Sequence, residues 1–175
     1  MRMRARLTAF GISAMVLLLD RATKLLIESS VPRWDTRVVI PGIFNIVHIE
    51  NRGAVFGMLA DSTAEWRAFV LVGLSLVVTA FVAALLWQST APSSRDGWGM
   101  RTALALVVGG AVGNLYDRLS QGAVTDFLQV FIGTYEWPAF NVADSAISIG
   151  AALLLLDLIR HRRQPDGSRN AAQAH

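Results

Sequence analysis

The hydrophobic positions of this chain gather into four long runs, 7–27, 66–87, 102–119 and 140–159. They do not recur at the short spacings of a half-buried helix or strand. Each run approaches the ~20 residues that cross a hydrocarbon core as a helix. Trp66 and Trp87 bracket the second run, where interfacial aromatics belong. The first run follows Arg2, Arg4 and Arg6, as a signal peptide would. Its apolar centre leads into "LLLDRATK" and not into a small-x-small cleavage site, so it is read as a retained span.

The polar stretches between the runs have their own pattern. "RVVIPGIFNIVHIEN" holds two β-prone pieces around Pro41-Gly42, a turn signal, and predicts a small sheet. "DSTAEW" then has the features of a helix start, with Asp61 or Ser62 as cap and Glu65 in the first turn. The expected architecture is an all-α membrane protein: four transmembrane helices with a small extracytoplasmic β-sheet and a short helix, one domain over 1–163. The polar tail 164–175 is predicted to be disordered.

Basic residues set the expected orientation. Arg2, Arg4 and Arg6 precede the first run, Arg95 and Arg101 flank the loop after the second, and Arg160, Arg162, Arg163 and Arg169 follow the fourth. The segment 120–139 has no Lys or Arg, and 28–65 balances its three arginines with acids. Both termini are therefore placed in the cytoplasm, with 28–65 and 120–139 outside.

Composition narrows the chemistry. The chain has 175 residues, 53% hydrophobic and only 17% charged, which excludes an ordinary soluble domain. It has no cysteine, so disulfides, thiolate nucleophiles and Cys-based metal sites are excluded. The net charge of +3 goes with topology-setting arginines, and no basic patch with interleaved aromatics points to nucleic acid. No HExxH occurs and no two histidines have ligand spacing, so no metal is expected.

Polar residues cluster at particular ends of the runs. Asp20, Lys24 and Glu28 lie four apart on one helical face, as a structural ion-pair stripe or a catalytic group. Asn114 and Arg118 share a face, with Asp117 one step around. Either Asp117 and Arg118 satisfy one another, or the cation and the amide together hold a peptide carbonyl or carboxylate. Glycines 109, 110 and 113 permit a close helix approach. Asp126 and Asp144 have no basic residue within four positions. If they converge, one holds a proton and the other acts as base. The alternative is a helix N-terminal charge at Asp144 and a solvated loop at Asp126.

Five motifs in order carry a resemblance: "DRATK" at 20–24, "NRGAVFG" at 51–57, "GNLYDR" at 113–118, "VTDF" at 124–127 and "FNVADS" at 140–145. Together they resemble bacterial lipoprotein signal peptidase, or signal peptidase II, over about residues 10–155. The resemblance implies a membrane aspartic endopeptidase that removes the signal peptide from diacylglyceryl-modified prolipoproteins, just before the lipidated cysteine. It implies catalytic Asp126 and Asp144. It makes Asn51, Gly53, Asn114, Arg118 and Asn141 substrate-binding or site-shaping, and Asp20, Lys24 and Asp117 structural. It implies no cofactor, a place in the bacterial inner membrane with the site facing outward, contact with membrane lipid, and inhibition by the cyclic peptide globomycin. Thr125, Arg52 and Val55 depart from the residues common in that family. Two other readings compete. A proton-coupled transporter would place polar groups near the bilayer midplane and show repeated halves. A scaffold with structural ion pairs would not need two unpaired aspartates flanking one loop.

Overall fold

A computed structural model describes residues 2–53, 66–91, 93–94 and 96–162. The elements run α1 (Arg2–Ser30), β1 (Thr36–Ile40), β2 (Phe44–Asn51), α2 (Trp66–Ser89), α3 (Trp98–Gln121), β3 (Val124–Ile132), β4 (Tyr135–Phe140) and α4 (Val142–Arg162). All four apolar runs are helices, and each helix extends beyond its run at one or both ends. The expected helix start at "DSTAEW", positions 54–57 of the second motif and the tail 164–175 lie outside the described residues.

Helix α3 is the centre of the bundle and packs against α1, α2 and α4. Its glycines permit this. A Cβ on Gly110 would lie 2.4 Å from the backbone oxygen of Ala143 in α4, and one on Gly113 would lie 2.7 Å from the Asp20 carboxylate of α1. Only hydrogen at these positions lets the backbones approach so closely.

The burial pattern is inverted relative to a soluble protein. Lys24, Asp20, Asp117, Asp126, Asn141 and Thr125 are among the most completely buried side chains. Leu18, Phe69, Leu74, Phe81 and Leu155 are exposed. An apolar exterior around a polar interior is what lipid as solvent favours. Among the described residues, Phe69–Ser89 and Val142–Arg160 are long and apolar enough to cross a membrane, at mean hydropathy 2.7 and 1.9. Helices α1 and α3 fall below that mark. They carry Asp20, Arg21 and Lys24, and Asn114, Asp117 and Arg118, which lowers their mean apolarity.

The sheet is larger than the sequence pattern indicates. The pieces around Pro41-Gly42 do pair, as β1 and β2. The segment 120–139, expected as a plain loop, supplies the second half as the β3–β4 hairpin, turning at Gly133. All four strands are antiparallel in the order β1-β2-β3-β4. Pro138 argues against a strand in sequence. Here it sits in the edge strand, inside the register shift between the Leu128↔Phe140 and Val130↔Trp137 pairs, where no ladder bond is required of it. Pairing of β2 with β3 sets Ile49 opposite Asp126 and Asn51 opposite Val124. Ile27, Val31 and Phe127, with Ile46, Leu128 and Val142 against them, seat the sheet on the ends of α1 and α4.

Candidate active site

Asp126 and Asp144 reach the same place from different elements. Asp126 is carried by β3, on the strand that Phe127 anchors to the helix ends. Asp144 lies in the first turn of α4. Between them stands Asn141, the residue before that helix. The Asn141 Oδ1 accepts from the Asp144 backbone N–H at 2.9 Å, and Asp144 Oδ2 accepts from the Asn141 N–H at 3.3 Å. This reciprocal pair is a capping box built with Asn and Asp. The remaining Asn141 group, its side-chain NH2, donates to Asp126 Oδ1 at 2.7 Å. One residue thus starts the helix, orients one carboxylate and bonds the other.

The other oxygens of both carboxylates are met by carboxamides. Asn51 donates to Asp126 Oδ2 at 3.0 Å, while its own Oδ1 is held by the Gly53 N–H at 2.8 Å. Gly53 has φ +86, and a Cβ there would lie 2.2 Å from Leu71 Cδ1. Glycine is therefore favoured by the backbone, while the Leu71 methyl could swing aside. Asn114 donates to Asp144 Oδ1 at 2.7 Å, while its Oδ1 accepts from Lys24 at 3.1 Å.

Asp126 is 2% exposed. Burial is the main cause that pushes its carboxyl up, to about 6. The bond from Asn51 works against that shift, and the charge of Asp144 adds to it. A carboxyl in this position keeps its proton at pH values where an exposed aspartate has lost it.

Beneath the carboxylates lies an ionic cluster. Lys24 is wholly buried, with Asp20 Oδ2 at 2.7 Å and Asp117 Oδ2 at 2.6 Å. Asp20 Oδ1 also accepts from the Ala143 N–H at 3.0 Å, which satisfies a free donor at the start of α4. The expected stripe breaks at Glu28. Glu28 does not join Asp20 and Lys24; its carboxylate accepts from Thr125 at 2.9 Å and Gln121 at 3.3 Å, because the sheet rests on that end of α1. Nor do Asp117 and Arg118 satisfy one another. Asp117 turns to Lys24 and to Arg21, at 2.5 Å. Arg118 donates to the Asn114 backbone oxygen at 3.2 Å and lines a small cleft with Asn51, Arg52, Leu71 and Val72. Sequence reasoning missed Arg21. It lies inside the first motif, and the only available signal was its position beside Asp20 on the same helix turn.

Fold and site define a class: a helical membrane protein with a pair of carboxylates, Asp126 buried and Asp144 half-buried, held by three carboxamides. Comparison with known proteins narrows it. The family model for signal peptidase (SPase) II matches residues 12–160. A lipoprotein signal peptidase of Solibacter usitatus is 50% identical over 159 residues, covering 91% of this chain and 94% of that one. One of Nitratidesulfovibrio vulgaris is 42% identical over 160 residues, covering 91% and 93%. A solved structure described as a bacterial membrane enzyme superposes with a TM-score of 0.76 at 28% identity, covering 92% of this chain and 93% of that one. The chain belongs to the signal peptidase II family.

Proposed function

We propose that this protein is an aspartic endopeptidase of the membrane that removes the signal peptide from diacylglyceryl-modified prolipoproteins, cutting just before the lipidated cysteine. The observation that carries the reading is the joining of Asp126 and Asp144 through Asn141, at one end of an apolar-faced bundle. The names of the relatives point to the substrate class.

The roles follow from the environments. Asp126, whose proton burial retains, is the acid. Asp144, at the positive end of α4, is the base, since negative charge is favourable there. A water between them gives a proton to Asp144 as its oxygen attacks the peptide carbonyl carbon, and Asp126 protonates the carbonyl oxygen. Collapse breaks the C–N bond: the proton taken up by Asp144 goes to the leaving amine, and a hydroxyl proton of the intermediate returns to Asp126 as the C=O bond re-forms. No bond forms between peptide and enzyme. Arg118, lining the cleft beside Asn51, holds the substrate backbone with its unused donors.

All four helices span the bilayer in this reading. Helices α1 and α3 turn their charges inward to Lys24, Asp20 and Asp117 and present Leu18, Leu25 and Leu119 outward. The arginines at both termini and near 95–101 place those ends in the cytoplasm and the sheet end outside. The scissile bond lies at that depth because acyl chains and signal helix hold it there. In this reading the cyclic peptide globomycin inhibits the enzyme.

The test is incubation of the purified protein with a diacylglyceryl-modified precursor and with the same precursor unmodified. Release of a peptide ending immediately before the modified cysteine, with the unmodified chain left intact, is the expected result. Equal cutting of both precursors, or of neither, overturns the substrate assignment.

A further inference from the structure

The three carboxamides of the site share one construction. In each, the carbonyl oxygen is held by a donor and the NH2 is thereby turned to a catalytic carboxylate. For Asn51 the donor is the Gly53 backbone N–H, and for Asn141 it is the Asp144 backbone N–H. For Asn114 the donors are side chains: Lys24 Nζ at 3.1 Å and the Asn141 NH2 at 3.3 Å. A carboxamide rotated by half a turn would present its oxygen to Asp144 and repel it. An ammonium has only donors and accepts nothing from an NH2, so it permits one orientation alone.

We propose that Lys24 is a positioning residue for Asp144: its buried ammonium fixes the Asn114 carboxamide with the NH2 toward the carboxylate. The proposal rests on the dicarboxylate reading above. The geometry around Lys24 supports it. The ammonium donates to Asp20 and Asn114 and makes an ion-pair contact with Asp117 Oδ2 at 2.6 Å. The two carboxylates hold it in place from α1 and α3, and Arg21 holds Asp117 from the other side at 2.5 Å. Two acids and two cations make the cluster neutral. Two bonds leave it for the catalytic centre: Asp20 accepts from the Ala143 N–H beside Asp144, and Lys24 donates to the Asn114 oxygen, the bond that orients the carboxamide.

A purely structural cluster makes a different prediction, and the variants separate the two. Lys24→Met strands two buried carboxylates and can prevent folding. Lys24→Met combined with Asp117→Asn keeps the cluster neutral, with Asp20 and Arg21 remaining, and removes the ammonium without supplying another donor to Asn114. The expected result on the lipidated precursor is a roughly 100-fold lower kcat with KM close to the wild-type value, the size of effect a misplaced catalytic group produces. Arg21→Met removes the cation on the far side of Asp117, which has no contact with Asn114, and lowers kcat far less than the double variant does. Adding Asn114→Ala to the neutral double variant costs nothing further, because the amide was the route of the effect. Asp126→Asn and Asp144→Asn are assayed alongside. If they are inactive while the neutral double variant turns over normally, the positioning role is overturned and the dicarboxylate reading stands. A loss in Arg21→Met equal to that in the double variant, or losses that add with Asn114→Ala, also overturn it. Full turnover by either aspartate variant overturns the underlying reading instead.

Discussion

At the scale of single residues, the proposed chemistry rests on the proton that burial keeps on Asp126 up to about pH 6. The carboxyl is pushed up to about 6, so its acid form persists two units above an exposed aspartate's range. The infrared carboxylic C=O band of the substrate-free enzyme should disappear with an apparent midpoint near 6 and be missing from Asp126→Asn. A linkage consequence has a definite sign. The folded pKa is raised, so the folded state binds more protons, and the stability this contributes is lost as pH rises from about 4 through about 6. Melting temperature should fall across that window in the wild type and stay flatter in Asp126→Asn. A second residue-scale expectation concerns Arg118. Its planar fork serves the Asn114 carbonyl and the cleft together, which a single ammonium cannot reproduce. Arg118→Lys should fold normally and lose most activity, and wild-type kcat/KM in that variant would assign Arg118 a merely structural place.

At the scale of elements, the close contact of α3 with α4 is the one that sets the site, since α4 begins at Asn141 and Asp144. Gly110→Ala would drive a Cβ to 2.4 Å from the Ala143 oxygen. Overpacking of this kind should cost about 1–3 kcal/mol and lower the melting temperature in detergent. An unchanged melting temperature would mean the helices do not pack as described. The helices were legible in the sequence because apolar runs of spanning length leave little choice. So was the β1–β2 hairpin, through Pro41-Gly42. The β3–β4 hairpin was not. "VTDFLQVFIGTYEWPAF" has the β-prone residues, but Pro138 and the lack of strict alternation hide it, and its pairing with β2 joins positions some 80 residues apart. The carboxylate pair was legible as two aspartates without nearby cations. What sequence could not display was the set of carbonyl clamps on Asn51, Asn114 and Asn141, because all three carboxamides donate to a carboxylate on another element. Nor could spacing reveal that Asp117 serves Lys24 and Arg21, since that contact crosses from α3 to α1.

At the scale of the whole molecule, apolar faces outward and a polar network inward make lipid the solvent and bring the site to one end of the bundle. The hairpin turn at 133–134 marks that end. Thr134 is exposed there and, unlike Gly133 with φ +64, has no special backbone need. A Thr134→Cys variant, the chain's sole thiol, should react with an impermeant reagent in spheroplasts before lysis. Labelling only after lysis would reverse the orientation. The central claim, that two aspartates on separate elements together hydrolyse a lipidated precursor, is tested most directly by turnover of Asp126→Asn and Asp144→Asn in matched, folded preparations. The account predicts that each variant inserts, melts cooperatively and releases no signal peptide. Near-normal release by either one would contradict it.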